Sequence, residues 1–152
     1  MRTILFVCTG NTCRSPMAEA FARAVLSDGL VEGVTPSEVL IASAGIAAAD
    51  GAPPSDETAR ILQARGLESE SCSMQLTPEM VAKADLVLTM TQGHVDAISR
   101  YIAPSADAMK HVLTLDPKGD VLDPIGCGSE AYEEVAMRFD ELIPLRLKEF
   151  LS

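Results

Sequence analysis

Cys8 and Arg14 stand either side of five residues in the run Cys8-Thr9-Gly10-Asn11-Thr12-Cys13-Arg14-Ser15-Pro16. A thiol and a guanidinium at that spacing can act together on an anion. A thiolate is a nucleophile, and the planar guanidinium fork matches two phosphate oxygens. Gly10 permits a tight backbone curl. Backbone N–H groups of Thr9 to Ser15, curled at the mouth of a helix, make a nest for an anion. The same positive field favours sulfur in its anionic form, and the Ser15 hydroxyl can donate to it across the loop. The chemistry implied is attack of Cys8 on a bound phosphoryl group, with Arg14 and the loop amides carrying the developing charge. A cysteine packed under an ordinary strand-to-helix turn shares the spacing. The neighbours on both sides favour the anion-binding reading.

A phosphoryl transfer also needs a proton for the leaving group. The run Asp116-Pro117-Lys118-Gly119-Asp120-Val121-Leu122-Asp123-Pro124-Ile125-Gly126-Cys127-Gly128 offers three aspartates. Pro124 pre-sets an extended backbone at Asp123, and Gly126 and Gly128 mark a loop able to reach over a site. Composition alone leaves Asp116, Asp120 and Asp123 all open.

The flanking elements place these groups. Thr3-Ile4-Leu5-Phe6-Val7 reads as a buried parallel strand. Met17 to Leu26 reads as a helix, with Ser15 as N-cap and Pro16 at the first helical position. Ser27 to Ser37 is a loop, and Val39 to Ser43 the second strand. Asp56 to Arg65 is a helix capped by Ser55 or Asp56 and stopped at Gly66. Ser69 to Leu76 is irregular. Thr77 and Pro78 open a short helix to Ala84, and Asp85 to Met90 is the third strand. Thr91 caps a helix to about Tyr101, in whose first turn His94 reads as structural. His111 to Leu115 is the fourth strand, and Ser129 to Leu151 a closing helix that Pro144 interrupts or kinks. Strands alternating with helices predict an α/β fold, a parallel sheet covered on both faces. The 152 residues suit a single domain spanning 1–152.

The run from Cys8 to Glu19 resembles the phosphate-binding loop of the low-molecular-weight protein tyrosine phosphatases. The resemblance continues through Ser43-Ala44-Gly45, Ala84 to Met90, and Asp120-Val121-Leu122-Asp123-Pro124. It implies a flavodoxin-like three-layer sandwich with a four-stranded parallel sheet in the order 2-1-3-4. It implies Cys8 as nucleophile, Arg14 as phosphate ligand, and Asp123 as the acid that then activates water. In the family, the serine at Ser43 braces Asn11, although a strand-ending turn is equally compatible with these residues. A histidine often found at the position of Ser71 is missing here. The resemblance also implies a protective Cys8–Cys13 disulfide; simple packing of Cys13 stays open. Thr12 stands where tyrosine-directed members carry an apolar residue, and Ile125 and Gly126 where they carry aromatics. A hydroxyl-bearing wall and a missing aromatic clamp suit a guanidinium, and threonine there marks the bacterial protein-arginine phosphatases. The expected activity is therefore a phosphoarginine-directed protein phosphatase, the alternative a tyrosine phosphatase of the same family. Arsenate reductases share the fold but need further cysteines near the third strand, where this chain has Met90. A non-catalytic phosphate-binding module would not need Cys8, Arg14, Ser15 and Asp123 together.

A net charge of −10 argues against nucleic-acid partners. Four cysteines without paired spacing, and two histidines, argue against zinc or a disulfide framework. No cofactor or metal is expected. The N-terminal apolar run is too short for a secretory segment and no run suits a membrane span, so a cytoplasmic monomer or weak dimer is expected. Phosphorylated proteins would be the substrates and inorganic phosphate the product.

Overall fold

The computed structural model describes residues 1–69 and 71–152; residue 70, inside the segment read as irregular, lies outside them. Four parallel strands, β1 (Arg2–Cys8), β2 (Val39–Gly45), β3 (Leu86–Thr89) and β4 (Val112–Thr114), pair in the order β2-β1-β3-β4. Five α-helices connect or follow them: α1 (Arg14–Ser27), α2 (Asp56–Ala64), α3 (Pro78–Lys83), α4 (Gln92–Ala97) and α5 (Ser129–Leu151). The order and the parallel pairing are those expected.

Strand β1 is buried on both faces, which is why it reads as a continuous apolar run. Its side chains alternate. Ile4, Phe6 and Cys8 join a core shared with α1, α2 and α5, while Leu5 and Val7 join one shared with α3 and the end of α4. The period-two alternation thus puts the Cys8 side chain on the α1 face, where the strand's end meets the helix mouth. Helix α5 buries Tyr132, Val135, Ala136, Phe139, Ile143, Leu147 and Leu151, a stripe at helical spacing. Phe139 meets Phe21 of α1 edge-on, ring centroids 6.2 Å apart, worth about 0.5–1.5 kcal/mol beyond area.

The caps at Ser55, Thr77 and Thr91 form as read, each hydroxyl accepting the N–H three residues on. Three elements differ from expectation. Helix α1 starts at Arg14, so Ser15 is not its cap and Pro16 sits in the first turn, where its missing N–H breaks no helical bond. Helix α4 gives way at Ile98 to a wider turn reaching Ile102. Helix α5 runs unbroken through Pro144; the apolar stripe on either side offsets the lost hydrogen bond, about 3 kcal/mol. No described helix is long and apolar enough to cross a membrane.

Candidate active site

The loop between β1 and α1 is built around the Cys8 sulfur. Cys8 is 2 % exposed. Its sulfur takes the Asn11 N–H at 3.3 Å and lies 2.9 Å from the Ser15 hydroxyl. Among the described residues, the N–H groups of Gly10, Thr12, Cys13, Arg14 and Ser15 find no protein acceptor. They belong to one curl at a helix N-terminus, where unpaired donors and the helix dipole favour an anion.

The direction of the Ser15 proton follows from a chain of contacts. The Met74 N–H can only donate, and it points at one end of the Asn11 amide at 2.9 Å, so that end is the carbonyl Oδ1. The other end, Nδ2, then donates to Ser15 Oγ at 2.7 Å and Ser43 Oγ at 2.9 Å. With its oxygen already accepting, Ser15 turns its one proton to the sulfur. The sulfur thus has two donors aimed at it, the Asn11 N–H and the Ser15 hydroxyl. The arrangement also explains why Asn11 holds a left-handed backbone, φ 57°, otherwise disfavoured. The carbonyl brace that a histidine at Ser71 would have hinted at comes instead from the Met74 backbone.

The outer wall of the loop is held too. Ile46 N–H donates to Cys8 O and Ala47 N–H to Thr9 O, both at 2.9 Å. Gly45 must be glycine: a Cβ there would meet Thr9 O at 2.5 Å and Asn11 N at 3.0 Å. His94 lies buried, its Nδ1 accepting from Thr91 N–H at 3.2 Å and its Nε2 lying 2.9 Å from Thr9 Oγ1. Burial first, and the Arg14 charge second, push its pKa down to about 4. It is therefore neutral, its one N–H on Nε2, donating to Thr9. Sequence reasoning assigned His94 to its helix but missed this link to the loop after β1.

Arg14 is 3 % exposed and reaches across the cup. Its Nη1 donates to Val121 O at 2.8 Å, its Nη2 lies 3.7 Å from Asp123 Oδ2, and its buried Nε has no partner among the described residues. An unpartnered buried guanidinium N–H costs about 1–3 kcal/mol unless a ligand takes it. The three aspartates now separate. Asp116 is bound by Arg138 and Asp120 accepts the Gln92 N–H, while Asp123 lies against Arg14 with its side chain 45 % exposed. Thr12 borders the loop half-buried, Ile125 lies exposed beyond Asp123, and Ser43 sits behind Asn11.

Cys13 packs away from solvent, its sulfur 3.4 Å from the Tyr132 hydroxyl and 3.5 Å from Ser55 Oγ. Burial, then the bond to Cys13, push the Tyr132 pKa up to about 12, so its hydroxyl stays neutral. Both Cys8 and Cys13 are free thiols. Among the described residues no cluster of His, Cys, Asp or Glu is arranged to hold a metal.

A buried sulfur, a ring of unpaired amides, an orphaned guanidinium N–H and a carboxylate opposite are parts that a cysteine-dependent phosphatase would use. The family model described as low molecular weight phosphotyrosine protein phosphatase matches residues 3–150. The chain belongs to this family. It is 38 % identical over 152 residues to a protein-arginine-phosphatase of Geobacillus stearothermophilus, covering 98 % of this chain and 95 % of that one. It is 35 % identical over 149 residues to the low molecular weight protein-tyrosine-phosphatase PtpB of Staphylococcus aureus, covering 95 % and 94 %. It superposes on a YwlE arginine phosphatase mutant with a phosphorylated active-site serine at a TM-score of 0.85, with 31 % identity and 97 % of each chain covered. The phosphatase described here is thus a cysteine-based protein phosphatase whose substrates are phosphorylated proteins.

Proposed function

We propose that this phosphatase hydrolyses phosphoarginine in proteins. Cys8 attacks phosphorus in line, and the phosphoryl oxygens take the free amides of the loop and the Arg14 guanidinium. Asp123 protonates the departing guanidino nitrogen, then deprotonates the water that releases phosphate from sulfur, a role typically worth ~10²–10⁴-fold. The observation that carries the anion site is the buried, unpartnered Nε of Arg14 beside five free loop amides.

The choice of arginine rests on Thr12 and Ile125. The Thr12 hydroxyl at the rim can accept a guanidinium N–H, as an isoleucine could not. Ile125, 59 % exposed, offers no ring to stack on a phenol. The similarity to named arginine phosphatases supports the same choice. Cys13 serves as the thiol that traps an oxidised Cys8 as a disulfide. The proposed setting is the cytoplasm, with inorganic phosphate as product and the chain a monomer or weak dimer.

The test is kcat/KM on one peptide carrying phosphoarginine or phosphotyrosine at the same position. Phosphoarginine should win, and Thr12→Ile should move the ratio toward tyrosine. A tyrosine preference in the unmutated protein would make it a tyrosine phosphatase instead.

A further inference from the structure

Asp123 stands with Leu122 on an exposed stretch between two buried residues, Val121 and Pro124. Leu122 is 74 % exposed, and a cavity of about 370 Å³ opens under residues 120–124. Val121 N–H donates to Met90 O at 2.8 Å, so the loop is anchored next to Asp123, and the direction from which the chain enters that anchor is set at the loop's root.

Two arginines of α5 hold that root. Arg146 donates its Nε to Leu115 O at 2.8 Å and its Nη2 to Thr114 O at 2.6 Å, at the end of β4. Arg138, two turns earlier on the helix, grips the next stretch. Its Nε and Nη2 donate to Asp116 Oδ2 at 3.1 and 2.6 Å, its Nη1 to Asp120 O at 2.8 Å, and its Nη2 also to Gly119 O at 3.3 Å. Burial pushes the Asp116 carboxyl up, but the Lys118 N–H and Arg138 outweigh it and hold the carboxyl below its usual range. One planar fork thus spans residues 116 to 120 as a unit. From there the chain needs three residues to reach Asp123. Arg14 ties Val121 between them, but its remaining donors are those the phosphoryl group needs.

We propose that Arg138 is a positioning residue of the phosphatase reaction. Its grip on Asp116, Gly119 and Asp120 sets the reach of Asp123 to the leaving atom. It touches neither substrate nor Cys8. The inference rests on Asp123 being the acid.

The experiment compares two aryl phosphates. 2,4-Dinitrophenolate departs without a proton, whereas phenolate needs one. Arg138→Met keeps the apolar stem and removes every donor. It should lower kcat/KM for phenyl phosphate about 10-fold, since about 1 Å of misplacement can cost ~10²-fold. The loss on 2,4-dinitrophenyl phosphate should stay below about 2-fold, and so should the change in inhibition by inorganic phosphate, because the acid adds nothing to either. Asp116→Asn should give a smaller loss with the same leaving-group dependence, and Arg138→Lys an intermediate one. Equal losses on both substrates would make Arg138 a merely structural residue and overturn the proposal. So would an unchanged rate on phenyl phosphate. Asp123→Asn, run alongside, separates the two failures. If it shows the leaving-group dependence and Arg138→Met does not, the grip is irrelevant and the acid assignment stands. If Asp123→Asn shows none, the acid assignment fails and the positioning role fails with it.

Discussion

Replacing Asn11 by aspartate changes almost no shape and inverts the polarity of the loop's central contact. Asp tolerates a left-handed backbone much as Asn does, so φ 57° remains accessible. One carboxylate oxygen still accepts the Met74 N–H. The other replaces the NH₂ group that donates to Ser15 at 2.7 Å and Ser43 at 2.9 Å. It can only accept, so it draws the Ser15 proton away from the sulfur 2.9 Å off. Cys8 then loses a hydrogen bond made to its charged form, worth about 1.5–3 kcal/mol. At 1.36 kcal/mol per tenfold, kcat/KM should fall by about 10- to 150-fold. The new charge near the thiolate pushes the same way. Ser15→Ala removes the same donor and should cost a similar factor. The double variant should be no worse than the poorer single one within about 2-fold, because both act through one proton. The assay is p-nitrophenyl phosphate hydrolysis across the four proteins, with melting curves to confirm folding. Wild-type turnover in Asn11→Asp would refute the directed-proton argument, and full additivity in the double variant would show that Asn11 acts by another route.

Cys8→Ser should abolish p-nitrophenyl phosphate hydrolysis while leaving phosphate binding intact; measurable turnover would remove Cys8 as nucleophile. His94→Gln bears on pH. The folded pKa, about 4, lies below the ordinary 6.5, so the unfolded chain takes its proton first as pH falls. His94 therefore withdraws stability from about pH 6.5 down to about 4, by up to about 1.4 kcal/mol per unit, and has no such effect above that window. The difference in urea midpoint between pH 7 and pH 5 should shrink in His94→Gln, and an unchanged difference would refute it. Gly45→Ala drives a Cβ to within 2.5 Å of Thr9 O. It should cost about 1–3 kcal/mol, seen as a Tm lower by several degrees, and slow turnover by shifting Thr9; an unchanged Tm and rate would contradict the contact.

The shape of the loop around Cys8 was legible because it is local. A strand, a curl and a helix mouth are contiguous in sequence, and the residues at each step speak for themselves. The caps at Ser55, Thr77 and Thr91 were legible for the same reason. Ser15 was misread because its hydroxyl had two possible partners, a helix N–H and a thiolate. The sulfur wins, and α1 starts two residues earlier than read, at Arg14. The choice among Asp116, Asp120 and Asp123 could not be read from residues alone. It depends on Arg138, Gln92 and Arg14, which lie 22, 28 and 109 positions away in sequence. Ser43 was read as a partner of Asn11 through the resemblance, but the Met74 brace left no trace, because a backbone N–H carries no sequence signature.

That contrast reflects how the two halves are built. The cup hangs on β1, a strand paired on both sides, and its contacts are buried hydrogen bonds of fixed polarity. Such a site can bind one group, PO₃, with tight geometry and no adaptation. Asp123 stands on the exposed part of a loop beyond β4, whose root is tethered by long arginines and whose Val121 and Pro124 are buried. A loop held that way can adjust to leaving groups of different shape, a phenol or a guanidine, while the cup stays the same. Selectivity within the family should then be settled by the few residues that line the passage between cup and loop, here Thr12 and Ile125. Exchanging them should alter which substrate is preferred far more than it alters affinity for inorganic phosphate, which meets the cup alone.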